Sequence, residues 1–314
     1  MGKYIVTVAP HMRSGASTDR IMLDVLIALT PTAVAGAYFF GPRAVGMMLV
    51  CMGSCVFWEW VFQRAMRRPI TINDNSALVT GLLLAMNLPA SAPYWMGAAG
   101  SAFAIIIVKQ LFGGLGQNFV NPALAARAVL MASYPRIMTG GFAAPDAASS
   151  ATPLMLMKDA AHIPATFDYI NALTGNIGGC IGETSALMLL LGAFYLLLRR
   201  VISWRIPAAY LGTVFVLALM INRDGMHMGY PLYELLTGGL LLGAFFMATD
   251  YATSPVTAKG QLIFGLGCGV ITVAIRFYGA YPEGVSYAIL LMNLTVPLIE
   301  RFTRPRIWGR ASRK

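Results

Sequence analysis

Apolar runs recur along this chain, each close to the roughly 20 residues that a helix needs to cross the hydrocarbon core of a membrane. We read about ten of them, at residues 20–40, 43–63, 76–92, 94–112, 121–138, 182–198, 204–221, 231–249, 259–276 and 283–302. The pattern predicts an all-α polytopic membrane protein. Composition agrees, with 57% apolar and 11% charged residues over 314 positions and a mean hydropathy of +0.66, values outside the range of soluble domains. The third and fifth runs are the weakest, because Asn87, Pro89, Asn121 and Arg127 interrupt them. Charges are scattered through the first 20 residues and no small-residue cleavage site follows the first run, so that run is expected to be retained.

A net charge of +10 invites a nucleic-acid reading, but the placement of the basic residues points elsewhere. When loops and ends are assigned alternately to two sides, one side collects Lys3, Arg13, Arg20, Arg64, Arg67, Arg68, Lys109, Arg199, Arg200, Arg205, Lys259 and the tail from Arg301 to Lys314. The other side holds Arg43, Arg136, Lys158, Arg223 and Arg276. This positive-inside bias places both termini in the cytoplasm, with the basic tail against anionic lipid. No nucleic-acid partner is expected. Cys51, Cys55, Cys180 and Cys268 form no CxxC pair, and His11, His162 and His227 are far apart, so neither a disulfide framework nor a metal site is expected.

Shifting the chain against itself by about 160 residues aligns Ala77–Met86 with Glu234–Phe245, Ile107–Gly114 with Ala274–Ala280, and Pro122 with Pro282. Internal similarity of this kind marks transporters built from repeats. Five runs per half is an odd number, which predicts that the second half enters the membrane in the opposite sense. The expected organisation is a first five-helix repeat at 1–138, an extracytoplasmic loop at 139–181, and a second five-helix repeat at 182–314. Gly and Pro clusters after the third and eighth runs and before the fifth predict broken backbone near the centre.

Within the connecting loop lies a small polar stretch, Asp146-Ala-Ala-Ser149-Ser150-Ala-Thr152-Pro153-Leu154. On composition alone it reads as a turn followed by a helix start, with Asp or Ser as cap and Pro at the first position. The same stretch resembles the flavinylation signal of the D subunit of the Rnf complex, a ferredoxin:NAD oxidoreductase, and of the related B subunit of the sodium-pumping NADH:quinone reductase. Further similarity covers nearly the whole chain, at Ala9–Ser14, Asp19–Pro31, Gly113–Ala128, Thr249–Gln261 and Pro282–Asn293. Ser150 stands where that family commonly has glycine.

The resemblance implies FMN joined to Thr152 by a phosphoester, a flavin transferase that attaches it, and a second, non-covalent riboflavin that no residue here places. It also implies a urea-transporter-like fold in a bacterial or archaeal inner membrane, with partners that include an extracytoplasmic flavin subunit and iron–sulfur subunits. Small neighbours leave Thr152 accessible to the transferase, while Ser149 and Ser150 can donate hydrogen bonds to phosphate oxygens. Asp146 would repel phosphate, and suits a turn cap or a metal held together with the transferase. A phosphoester leaves the flavin ring unmodified, which fits an electron carrier.

Asp24, Glu59, Glu234, Asp250 and Arg127 fall within or beside apolar runs, where ionisable groups are costly and mark ion paths or buried pairs. Asp250 and Asp24 are candidates for a cation path, and Arg127 for holding the flavin or a carboxylate. The expectation is therefore an electron-transfer subunit of a translocase that couples electron flow to Na⁺ or H⁺ movement. A solute channel with no redox role and a purely structural scaffold are the rival classes.

Overall fold

The computed structural model describes residues 17–140, 154, 168–183, 185–221, 229–279 and 283–304. Among the described residues every regular element is helical. The first two are α1 (Thr18–Phe40) and α2 (Pro42–Ala65), each long and apolar enough to cross a membrane. Gly41 alone separates them and takes φ +70°. Pro42 then opens α2 with a φ already set for a helix and no N–H to leave unpaired.

Next come α3 (Ser76–Met86) and α4, whose α-helical part (Tyr94–Ala102) continues as a π-helix over Phe103–Gln110. They are followed by α5 (Pro122–Ser133), capped by Asn121 Oδ1 accepting from the N–H groups of Ala123 and Leu124 at 3.0 and 3.3 Å, and by α6 (Pro135–Gly140). After the connecting region stand α7 (Tyr169–Thr174), α8 (Ala186–Leu198) and α9 (Arg205–Ile221). The chain closes with α10 (Gly229–Leu236), α11 (Leu240–Leu242, continuing as a π-helix over Gly243–Met247), α12 (Ala258–Tyr278) and α13 (Val285–Thr303). Among the described residues, only α1, α2, α12 and α13 are long and apolar enough to span a membrane by themselves.

The shorter helices correct several expected boundaries. The third run was expected to be helical to residue 92, yet α3 ends at Met86, because Pro89 removes a donor and keeps the residue before it out of the helical region. Likewise the fifth run is divided at Tyr134 ahead of Pro135, and the sixth begins at Ala186 instead of 182. The eighth run breaks between Leu236 and Leu240, where Gly238 and Gly239 both adopt left-handed φ, +68° and +66°, and the axis turns by 65°. A side chain at either position would be strained.

Broken backbone away from water must find partners inside the protein. Here two breaks satisfy each other. The N–H of Ile181 donates to the carbonyl of Leu88 at 3.1 Å, and that of Gly182 to the carbonyl of Met86 at 2.8 Å. The segment leading into α8 thus completes the end of α3. Helices α1 and α8 also approach closely, since a Cβ on Gly192 would lie 2.0 Å from the carbonyl oxygen of Ala28.

One apolar core runs through the molecule, joining Leu29 of α1, Met47 of α2, Leu84 of α3, Leu124 of α5, Leu189 of α8, Tyr210 of α9, Phe264 of α12 and Ile289 of α13. Large apolar side chains also point away from it: Leu23, Ile27, Val34 and Tyr38 on α1, and Leu187, Leu191, Phe194 and Leu198 on α8, are exposed. Faces of this kind are matched to lipid rather than to water.

Candidate functional site

Among the described residues, buried ion pairs organise the interior in three places. The first joins α2 to α4: Lys109 Nζ donates to both oxygens of Glu59 at 2.9 Å, with the two side chains 2% and 1% exposed. Gln110 adds a bond to the same carboxylate at 2.8 Å, and Lys109 also reaches Ser76 Oγ at 2.6 Å. Consecutive residues of an α-helix do not face one partner. The π-helical end of α4 brings Lys109 and Gln110 together on Glu59.

The second lies at the break between α10 and α11. Arg276, near the end of α12, donates through Nη1 to the Glu234 carboxylate and to the Glu234 carbonyl, both at 2.6 Å, and through Nη2 to the Thr237 carbonyl at 3.0 Å. It neutralises an acid and satisfies carbonyls left free where α10 stops, a role suited to a cation at a helix C-terminus. Lys109 and Arg276, both counted from sequence as loop charges, are thereby corrected to interior residues, 2% and 4% exposed. Each had been counted on a different side, so the imbalance between the sides survives without them.

The third centres on Arg127 of α5. Its Nη1 donates to Asn87 Oδ1 at 2.6 Å and to Glu183 Oε1 at 3.2 Å. Its Nη2 donates to the Glu283 carboxylate and approaches Cys180 Sγ at 3.8 Å. These partners come from the end of α3, the segment before α8 and the residues before α13, so the guanidinium binds regions far apart in the chain. One positive group faces two carboxylates. Cys180, Glu183 and Glu283 place their ligating atoms within 4.8 Å of one another, a spacing a metal could bridge, but Arg127 already supplies positive charge there.

Of the two acids expected on a cation path, Asp24 of α1 accepts from Tyr195 at 2.8 Å and from Arg199 at 3.2 Å, tying α1 to α8 near its end. Asp250 differs. Among the described residues it has no ion-pair partner, and its carboxylate accepts from Thr253 Oγ1 at 3.1 Å. It borders two small cavities, of about 60 and 50 Å³. Ser76, Thr80, Lys109, Asn118 and Asn121 line the first together with Asp250. Its lining oxygens come from α3, from the turn before α5 and from the break after α11, three of the places where the helices stop.

Thr152, Ser149, Ser150 and Asp146 lie outside the described residues, as do His11, His162 and His227. All four cysteines are free and buried, as expected of small apolar side chains. Sequence reasoning passed over Glu183 and Glu283, and noted Asn87 only as an interruption of the third run, because each sits at a helix boundary where polar residues are ordinary. Lys109 was legible in principle, since it follows four apolar residues at Ile105–Val108.

Comparison with known proteins matches residues 5–309 to the NQR2, RnfD, RnfE family. The chain is 54% identical over 308 residues to the D subunit of the Na(+)-translocating ferredoxin:NAD(+) oxidoreductase complex of Acetobacterium woodii, covering 97% of this chain and 95% of that protein. It is 43% identical to the D subunit of the proton-translocating ferredoxin:NAD(+) oxidoreductase complex of Clostridium ljungdahlii, covering 98% and 96%. It is also 43% identical to the D subunit of the ion-translocating oxidoreductase complex of Stutzerimonas stutzeri, covering 95% and 94%.

Proposed function

Because the chain belongs to the NQR2, RnfD, RnfE family, we propose that it is the D subunit of an ion-translocating ferredoxin:NAD oxidoreductase complex, an electron-transfer subunit carrying FMN on Thr152. The observation that carries this reading is the near end-to-end similarity to proteins named as the D subunits of such complexes. The chain is then part of a translocase rather than an enzyme by itself, and its partners are the other subunits of the complex, iron–sulfur and flavin subunits among them. Bound FMN supplies one-electron chemistry, and the phosphoester prevents its loss. Ser149, Ser150 and Asp146 would surround the attachment point.

We assign the chain ten membrane crossings in two inverted halves, residues 1–138 and 182–314, arranged like a urea transporter. Supporting this, α1 packs on α8 and α5 on α13, helices that hold equivalent places in the two halves, and α2 packs on α3 and α4 as α9 does on α10 and α12. Both termini are placed in the cytoplasm and residues 139–181 on the opposite side, in keeping with the charge bias that remains once Lys109 and Arg276 are removed from the count. A riboflavin bound without a covalent link is a further expectation of the family.

Asp250 is the proposed cation-binding carboxylate. The cavity of about 60 Å³ beside it, to which Ser76, Thr80, Asn118 and Asn121 contribute polar side chains, has room for water, and so for a dehydrated alkali ion or a short proton relay. One relative is named for sodium and another for protons, so the proposal is for the class of monovalent cation. The same small volumes disfavour a solute channel through this region.

The deciding experiment is mass spectrometry of the peptide bearing Thr152, after expression with a flavin transferase, together with in-gel fluorescence. FMN on that peptide, and a dark band for Thr152→Ala, is the expected result; a wild-type peptide of unmodified mass rejects the flavin assignment. Electron flow through the complex that persists in Thr152→Ala would favour the scaffold reading.

A further inference from the structure

The exposed apolar side chains of α8, Leu187, Leu191, Phe194 and Leu198, recur at helical spacing and so form one stripe along the helix. From Leu187 to Leu198 the helix rises about 16 Å, close to the roughly 15 Å of hydrocarbon in a single leaflet. The stripe ends where charge begins: Arg199 and Arg200 follow Leu198 directly, and Trp204 and Arg205 complete the turn into α9.

The turn is held firmly. Arg200 takes φ +56°. Its N–H donates to the Leu197 carbonyl at 3.1 Å, and that of Val201 to the Leu196 carbonyl at 2.9 Å, the pairing of a Schellman motif. The Tyr251 hydroxyl donates to the Val201 carbonyl, and Ser203 Oγ to Gln261 Oε1 at 2.9 Å. Trp204 is nonetheless 64% exposed. A tryptophan on a fixed turn, at the end of a lipid-facing stripe, has the placement of an anchor at headgroup level.

Charge sets this turn apart from an ordinary helix end. Arg199 is paired with Asp24 at 3.2 Å. Among the described residues, Arg200 and Arg205 have no ion-pair partner. Arg205 moreover opens α9, the end at which a helix dipole disfavours a cation, so its charge does not serve the helix.

We propose that the α8–α9 turn binds an anionic phospholipid. Arg200 and Arg205 hold the headgroup phosphate, Trp204 lies at the boundary between headgroup and chains, and an acyl chain runs along Leu198, Phe194, Leu191 and Leu187. A zwitterionic lipid offers the same chains and phosphate but brings its own cation, so two unpaired arginines favour a headgroup of net negative charge. The site is independent of the flavin and cation readings above.

The test uses the full chain in detergent, titrated with phosphatidylglycerol or phosphatidylcholine and read by native mass spectrometry and thermal melting. Wild type is expected to hold phosphatidylglycerol more tightly and to melt at a higher temperature with it. Arg200→Gln combined with Arg205→Gln should weaken phosphatidylglycerol binding by about tenfold or more and leave phosphatidylcholine binding unchanged. Trp204→Ala should weaken binding of both lipids, and Trp204→Phe should restore it. Arg64→Gln combined with Arg67→Gln removes equal charge at the end of α2 and should bind phosphatidylglycerol as wild type does.

Equal loss in the two double variants, or no preference between the lipids in wild type, overturns the site. Inorganic phosphate that displaces phosphatidylglycerol and reproduces its effect on melting would assign the arginines to a free anion and overturn it too. So would an Arg200 and Arg205 double variant that binds lipid like wild type but fails to assemble with the other subunits, which gives the turn to a protein partner.

Discussion

The buried pairs on Lys109 and Arg276 balance one cation against one carboxylate, and each lies within a single half of the chain. Arg127 faces two carboxylates, and both belong to the other half. The difference separates two uses of buried charge. A one-to-one pair is a closed unit whose worth lies in not being broken, whereas a guanidinium shared between Glu183 and Glu283 joins three distant segments. Asp250 stands at the far end of this range, a carboxylate without a described ion pair, bordering polar space.

Substitutions can break this comparison. The largest effect is expected for Lys109→Met, which strands Glu59 in the interior and should cost about 3–5 kcal/mol, read as a fall in the melting temperature of the detergent-solubilised protein. Adding Glu59→Leu should return most of that loss, because a pair replaced by apolar groups is often close to neutral. A double variant no more stable than Lys109→Met would show that the pair is more than a closed unit.

Asp250→Asn should leave the melting temperature near the wild-type value and reduce ion transport by the reconstituted complex by about tenfold or more, in keeping with a carboxylate whose role is not structural. Retained transport would remove Asp250 from the path. Smaller again is the effect of Glu283→Gln, which leaves Arg127 paired one to one with Glu183. We expect about 1 kcal/mol or less, against several for Glu234→Gln, which uncovers Arg276. Equal losses in the two variants would erase the distinction drawn above. Asp24→Asn should change stability least, since its partner Arg199 is 58% exposed and such pairs contribute little.

Much of the helical framework was legible from hydrophobicity. The full-length helices α1, α2, α12 and α13 fall within two residues of their expected limits, because a long apolar run in a membrane protein has no other way to satisfy its backbone. Pro89 marked the third run as weak, but the breaks at Pro135 and at Gly238–Gly239 lie inside the fifth and eighth runs, which were read as continuous. Asp250 was singled out beside a break, and that is where it sits. The proposed FMN attachment at Thr152 comes from the sequence motif alone.

By itself the sequence determines an all-helical chain matched to lipid and the family to which it belongs. These follow from local composition, where each residue's preference acts over a few turns. Which charges meet is decided only in three dimensions. Arg127 finds Glu183 and Glu283 at separations of 56 and 156 residues. Such contacts depend on how closely helices pack and where backbone breaks aim their side chains, and no local pattern in the chain encodes either.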